Sequence, residues 1–357
     1  MKSGVVVVLS GFPRRSETFA IPELDALDRT GSLLRLFATK PGDGLPPHAG
    51  AARLADRVVT LPSGSPAAQA DEIVRELGDL RPSAVHGYFA HQPAAVAECV
   101  AERLSLPFGF SVHARDARKV PPSELRARAR RAACVVACNQ DVCDELSQLD
   151  ISPVLVPHGV NLARFSPSPV PFGGPLRVLA VGRCVRKKGF DVLLRALADV
   201  ETPWQLDIAG DGPEAPALRT LALDLGIARS VTWHGSVRHD ELPALYRAAH
   251  VVAVPSVVDE TGDRDGLPNV VLEALSSQRP VVASRVGAIE SAIADGLTGA
   301  LTPPGDPAAL SRRIDDLARR PDEARDLARR GRALVERRYD VECCTRRFTE
   351  TLIACYA

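Results

Sequence analysis

Short apolar, β-branched runs alternate with amphipathic stretches of helical length twice along this chain, once on each side of a proline-rich interruption. Runs that are apolar throughout belong to strands buried on both faces, so each half predicts a parallel sheet covered by helices. In the first half the strand candidates are Val5–Leu9, Leu33–Ala38, Val58–Leu61, Ala84–Gly87, Phe108–Ser111, Cys134–Ala137 and Val154–Val156. Helices such as Ala67–Gly78, Gln92–Leu104 and Asn139–Gln148 fall between them. The interruption, Ser166–Pro175, has no periodicity and reads as a linker. The second half offers strands Leu176–Val181, Trp204–Ala209, Val231–His234, Val251–Pro255, Val281–Ser284 and Gly299–Leu301. Its helices lie near Gly189–Leu197, Glu214–Leu225, Glu241–Ala249 and Asn269–Ser277, and from Pro307 onward the chain is helical and rich in Arg and Ala. The predicted class is α/β, with two Rossmann-like domains facing each other across a cleft. Residues 1–166 and 176–340 form the domains, 167–175 the linker, and 341–357 a helix packing back toward the first domain.

Composition narrows the function. At 357 residues the chain is long enough for two cores. Lys+Arg and Asp+Glu balance at 44 each, so no global field draws the chain to nucleic acid. No run approaches the roughly 18 apolar residues of a membrane span. Val5–Leu9 stops at Gly11-Phe12-Pro13 and reads as a buried strand rather than a signal peptide. The eight cysteines form no CxxC pair and no standard zinc spacing, and read as reduced core thiols. A cytoplasmic protein fits these features. The basic stretch Arg115, Arg118, Lys119, Arg126, Arg128, Arg130 and Arg131 leaves two readings open, a solvated helix face or peripheral contact with anionic lipid at the inner face of the membrane.

Ligands of open α/β sheets bind beyond the carboxyl ends of the strands. Four consecutive strand ends in the second half carry residues suited to a nucleotide. After Leu176–Val181 comes Gly182-Arg183-Cys184-Val185-Arg186-Lys187-Lys188-Gly189, with Arg183 at the strand end and Lys188 at the start of the next helix. Two such cations suit a diphosphate. After Trp204–Ala209, Gly210-Asp211-Gly212-Pro213 lets backbone approach a ligand closely, and Pro213 suits a first helical position. After Val231–His234, Gly235-Ser236-Val237-Arg238 offers backbone to a nucleobase edge. After Val251–Pro255 come Ser256 and then Asp265-Gly266-Leu267-Pro268-Asn269-Val270-Val271-Leu272-Glu273. Asn269 is a suitable N-cap, so Asp265 sits on a loop at a helix mouth whose free N–H groups attract phosphate. Glu273 lies about one turn inside that helix, where it can accept hydrogen bonds from vicinal hydroxyls such as those of a ribose.

The order Gly-Arg-x4-Lys-Gly, Gly-Asp-Gly-Pro, His-Gly-x-Val, Pro-Ser, Gly-Leu-Pro-Asn-Val-x-Leu-Glu-Ala resembles the retaining glycosyltransferases of family four, which have the GT-B fold. Pro280–Ser284, Gly296-x-Thr298-Gly299 and Pro304-Gly305-Asp306 extend the likeness. In the first half, Ser16-Glu17-Thr18-Phe19, His86-Gly87-Tyr88-Phe89, Phe110–Asp116 and Val156–Asn161 with Phe165 are similar to the exopolysaccharide branch, which includes colanic acid glycosyltransferases.

The resemblance implies transfer of a hexose-type sugar from a nucleotide-diphosphate sugar to a hydroxyl of a glycan, a lipid-linked intermediate or a small metabolite. It implies retention of configuration and no required metal or other cofactor, and leaves the oligomeric state open. Arg183 and Lys188 would hold the diphosphate and neutralise the leaving group. Gly182, Gly210, Asp211, Gly212, Gly235, Val237 and Arg238 would line the donor site. Asp265 would face the donor sugar, with the backbone at Gly266, Leu267, Pro268 and Asn269 touching sugar and phosphate, and Glu273 would bind the ribose. His113 would lie near the transferred sugar, and Ser16, Glu17, Thr18, Tyr88 and Arg115 fall on the acceptor side. Asp263-Arg264-Asp265 mimics a metal-binding Asp-x-Asp string and reads as coincidence.

Two positions depart from the family pattern. Its first acidic residue is usually Glu, where this chain has the shorter Asp265, and a second histidine often stands where this chain has Tyr88. A nucleotide-sugar 2-epimerase of the same fold and a non-catalytic nucleotide-sugar binding module are the alternative readings.

Overall fold

The computed structural model describes residues 4–14, 17–43, 49–113, 118–169 and 174–357. It divides into two compact units, residues 1–159 together with 341–357, and residues 160–340.

In the first unit, strands β1 (Val5–Leu9), β2 (Leu33–Ala38), β3 (Val58–Thr60), β4 (Ala84–Gly87), β5 (Phe108–Val112), β6 (Cys134–Ala137) and β7 (Val154–Leu155) alternate with helices α1 (Ala20–Arg29), α2 (Ala49–Ala55), α3 (Pro66–Leu77), α4 (Gln92–Leu104), α5 (Pro122–Arg131) and α6 (Gln140–Ser147). The second unit holds β8 (Leu176–Val181), α7 (Phe190–Ala198), β9 (Trp204–Ala209), α8 (Ala215–Asp224), β10 (Val231–Gly235), α9 (Leu242–Ala248), β11 (Val251–Val254), α10 (Asn269–Ser276), β12 (Val281–Ser284), β13 (Ala300–Thr302), α11 (Pro307–Arg319) and α12 (Pro321–Arg338). Helix α13 (Val341–Cys355) belongs to the first unit, where it packs on α1.

Both sheets are parallel throughout, in the orders β3-β2-β1-β4-β5-β6-β7 and β10-β9-β8-β11-β12-β13. Each runs outward from its first strand and then reverses, which is the Rossmann order. The reversal lies between β1 and β4 in one sheet and between β8 and β11 in the other. Successive strand residues point to opposite faces, and in β1 both faces are core. Val6 and Val8 pack with Ile73 of α3 and Val96 of α4, while Val5, Val7 and Leu9 pack with Leu24 of α1 and Phe348 of α13. Strand β8 divides likewise, Val178 and Ala180 going to one cluster and Leu179 to the other. Side chains of this size contribute about 1.5–3 kcal/mol each on full burial.

The unit boundary falls at Gly159 rather than after Ser166. Val160 donates its N–H to the Tyr339 carbonyl at 2.8 Å, and Val160 and Phe165 are buried in the second unit's core. The proline-rich segment is tied down at its start by Arg279, whose side chain is wholly buried. Its guanidinium donates to the Ser168 carbonyl at 2.9 Å, to Ser168 Oγ at 2.6 Å and to the Tyr246 carbonyl at 2.8 Å. Burial pulls its pKa down to about 10.

All eight cysteines are free thiols, but Cys343 is exposed while its neighbour Cys344 is buried. Adjacent helical residues point about 100° apart, so only one of the two can face the core. Among the described residues, no helix is long and apolar enough to cross a membrane.

Candidate active site

The reversal point of the second sheet brings the loops after β8 and β11 together. Gly189 has φ +62°, and a side chain there would run into the Pro255 carbonyl, so only glycine lets the two loops close up. Lys187 and Lys188 lie in a 3-10 turn just before that glycine. Lys188 Nζ is 2.7 Å from Asp265 Oδ2, which also accepts from Ser256 Oγ at 2.9 Å. Lys187 Nζ is 3.2 Å from Asp263 and 3.6 Å from Asp265 Oδ1. Burial pushes the Asp265 carboxyl up, but Lys188, Lys187 and the Ser256 hydroxyl outweigh it and hold the group below its ordinary value. Arg183 is exposed, and its guanidinium makes no hydrogen bond or ion pair among the described residues.

The loops after β8 and β9 are stitched by backbone bonds from Gly182 N to Ala209 O at 3.0 Å and from Cys184 N to Asp211 O at 2.9 Å. Gly210 packs so closely on the Gly182 carbonyl that a side chain could not be added. Gly212 N donates to Asp211 Oδ1 at 2.8 Å. Helix α8 starts at Ala215, so Pro213 sits in the turn before it and not at its first position. After β10, Gly235 and Val237 lead to Arg238, whose guanidinium is turned onto Asp240.

Helix α10 begins at Asn269, and Pro268 occupies the cap in an extended conformation with no side-chain bond. Asn269 is therefore the first helical residue rather than the cap, because the fixed φ of Pro268 already sets the entry angle. Asp265 and Gly266 precede this mouth and are buried, and Leu267 is half-buried. Glu273 is buried one turn in; one oxygen accepts from Tyr246 OH at 2.8 Å and the other lies 3.2 Å from His239 Nε2. Burial and the adjacent Glu273 carboxylate raise the Tyr246 pKa well above normal.

In the first unit, residues following β1, β4, β5 and β7 form an aromatic and imidazole cluster. His113 and His158 stack in parallel at 5.2 Å with an interplanar angle of 8°, and Phe19, Tyr88 and Phe89 surround them. Glu23 of α1 joins the cluster, accepting from Tyr88 OH and lying 2.7 Å from His158 Nδ1. Burial opposes a charge on His158, yet Glu23 holds its pKa up at about 10. Burial first, and then His158, lower His113 to about 3. Behind them His86, also lowered to about 3 by burial and then by His113, bonds Tyr356 OH at 2.7 Å and Ser111 Oγ at 2.9 Å. Tyr88, in place of a second histidine, thus anchors the carboxylate that grips His158. The sequence gives no sign of Glu23, which reads there as an ordinary helix residue.

Of the acceptor-side candidates, Glu17 pairs with Arg14 at 2.7 Å and Thr18 is half-buried beside it, while Ser16 and Arg115 lie outside the described residues. Four arginines of the basic stretch are paired with carboxylates of the same chain, while Lys119 and Arg130 are exposed. Arg118 pairs with Asp141 and Glu145, Arg126 with Asp150, Arg128 with Glu98 and Glu124, and Arg131 with Glu98.

Two family models match the chain, Glycosyltransferase Family 4 over residues 17–164 and Glycosyl transferases group 1 over residues 175–320. The chain belongs to the group 1, family 4 glycosyltransferases. Within that family it is 34% identical over 190 residues to a GDP-mannose-dependent alpha-(1-6)-phosphatidylinositol monomannoside mannosyltransferase of Mycolicibacterium smegmatis, covering 50% of each chain. It is 30% identical over 201 residues to WcaL of Escherichia coli K12, named as a colanic acid biosynthesis glycosyltransferase, covering 55% of this chain and 50% of the other. The chain thus spans about half the length of these curated relatives. The crystal structure of Anabaena Alr3699/HepE in complex with UDP superposes with a TM-score of 0.84 at 19% identity, over 99% of this chain and 100% of that one. This likeness gives the family-4 chain the GT-B fold of two Rossmann-like domains.

Proposed function

We propose that the protein transfers a hexose-type sugar from a nucleoside-diphosphate sugar to a hydroxyl acceptor, with retention of configuration and without a catalytic metal. One observation carries this reading. The reversal point of the second sheet sets Lys188, Asp265 and Ser256 in a single hydrogen-bonded group beside the mouth of α10, with the buried Glu273 carboxylate one turn inside.

In this reading Arg183 and Lys188 bind the diphosphate, aided by the α10 N-terminus, and stabilise charge as it grows on the leaving phosphate. Glu273 takes the ribose hydroxyls, and Asp265 meets the donor sugar while fixing Lys188. His113 serves the sugar side. The acceptor hydroxyl attacks from the face the nucleotide leaves: the anomeric carbon–phosphate oxygen bond breaks, the new glycosidic bond forms, and the acceptor proton passes to the leaving phosphate. Asp263 and Asp265 each already hold a lysine ammonium, a donor set suited to cations of the protein rather than to a divalent metal. Mannose from GDP-mannose and glucose from UDP-glucose are the donors to test first, given the names of the relatives. The internal pairing of the basic stretch speaks for a solvated face over a lipid-binding one.

The test is a thermal-shift screen against UDP, GDP, ADP and their sugars, since a ligand of the native state raises its apparent stability. Transfer assays follow with the donor that shifts, with and without EDTA and Mn²⁺, and NMR of the product anomer. No shift with any nucleotide, an inverted product, or activity lost in EDTA and restored by Mn²⁺ would contradict the corresponding part.

A further inference from the structure

Arg164 is set by the turn that starts at Asn161, its backbone N–H donating to Asn161 Oδ1 at 2.8 Å. Its Nη1 lies 2.7 Å from His239 Nδ1. A guanidinium can only donate, so Nδ1 is the acceptor and the proton of the neutral ring sits on Nε2. Nε2 faces Glu273 Oε1 at 3.2 Å and therefore donates to it, while Tyr246 OH donates to the other oxygen at 2.8 Å. Phe165 packs edge-on against both His239 and Tyr246, with ring centres 5.5 and 5.6 Å away, and fixes both rings. A carboxylate offers about four lone-pair sites. Two are taken, and roughly two remain, which is what a vicinal diol requires.

We infer that Arg164, His239 and Tyr246 are positioning residues for nucleotide recognition, locking Glu273 so that its open lone pairs meet the ribose hydroxyls. The inference rests on the assignment of Glu273 to the ribose. Without Arg164 the imidazole is free to take the other tautomer, which turns a lone pair toward the carboxylate and drives Glu273 out of position. The relay also gives a purpose to the Asn161 turn and to Phe165.

The experiment measures dissociation constants of UDP and GDP, and of their 2′-deoxy and 3′-deoxy counterparts, by calorimetry. The chains compared are the native protein, Arg164→Ala, Arg164→Lys, His239→Phe, Tyr246→Phe and Glu273→Gln. The native protein should bind the better ribonucleotide about tenfold more tightly than its deoxy forms. Arg164→Ala and His239→Phe should weaken the ribonucleotide about threefold to tenfold and shrink the deoxy penalty toward unity. Arg164→Lys keeps a donor for Nδ1 and should restore most of it. Arg164 is exposed, so its loss leaves the core intact. If Arg164→Ala and His239→Phe keep the full penalty while Glu273→Gln abolishes it, the relay is wrong and the ribose assignment stands. If neither nucleotide binds, or Glu273→Gln binds as the native chain does, the ribose assignment itself fails.

Discussion

Lys188 Nζ lies 2.7 Å from Asp265 Oδ2, so the cation assigned to the diphosphate already has a carboxylate partner. An incoming diphosphate must share or replace that partner, and the 2.9 Å bond from Ser256 keeps the carboxylate satisfied while it does so. Lys188→Ala removes the charge proposed to stabilise the leaving group. The expected result is a fall in kcat of about 10²–10³-fold, with nucleotide affinity reduced less, read from steady-state transfer and from nucleotide titration. Turnover within a fewfold of native would refute the role.

Asp265→Glu adds one methylene at a buried carboxylate packed against two lysines. The longer arm must either push toward the proposed sugar position or release Lys188. The ratio of kcat/KM between donors that differ at one sugar hydroxyl should change by about tenfold or more, as read by competition between the two donors. An unchanged ratio would remove Asp265 from sugar selection and leave it only the task of holding Lys188.

Acid should destabilise the first unit early. His86 and His113 stay neutral in the fold down to about pH 3, whereas the unfolded chain protonates them near 6.5. Between those values the unfolded state binds more protons, so stability falls as pH drops from 6.5 toward 3. His158 behaves oppositely. Its folded pKa of about 10 makes its contribution complete below 6.5 and lost as pH rises through 10. Calorimetric melting across pH 3–10.5 should show both flanks. His86→Asn should flatten the acid one, and Glu23→Gln should remove the alkaline one.

Arg279→Ala strips six hydrogen-bonded acceptors of a buried guanidinium, among them the Ser168 and Pro169 carbonyls. Several buried carbonyls lose their donor at about 1–3 kcal/mol each, so the cost should be about 3–5 kcal/mol, seen as earlier melting of the unit that contains residues 160–340. Arg279→Lys should recover little, because one ammonium cannot reproduce a planar fork. Equal melting of Arg279→Ala and native protein would disprove the anchoring role.

The strands were legible from their short apolar and β-branched runs; Leu176–Val181, Trp204–Ala209 and Cys134–Ala137 appear with the predicted bounds, even though Arg177, Gln205 and Asp207 interrupt the first two. Helix starts were less so. Asn269 is the favoured cap by composition, yet the cap falls on Pro268, whose fixed φ sets the entry of the helix. Pro213 fell in a turn because the backbone bonds of Cys184 hold that loop to its neighbour. Glu23 and Arg164 were invisible for another reason. Each acts on a histidine far along the chain, Glu23 on His158 and Arg164 on His239, and neither local spacing nor periodicity records such a partner. The arginines near α5 left two readings open in the sequence, since their carboxylate partners Glu98, Asp141, Glu145 and Asp150 are scattered through other parts of the chain.

Helix α13 supplies Phe348, Leu352 and Tyr356 to the first unit's core, and the Tyr356 hydroxyl reaches His86. These residues leave the ribosome only after the whole of residues 160–340. The earlier unit in sequence must therefore wait, with one flank of β1 and the His86 pocket open, until the later unit has been made. The order of synthesis and the order of completion are reversed, and a chain cut before Val341 would release the second unit finished and the first one unsealed.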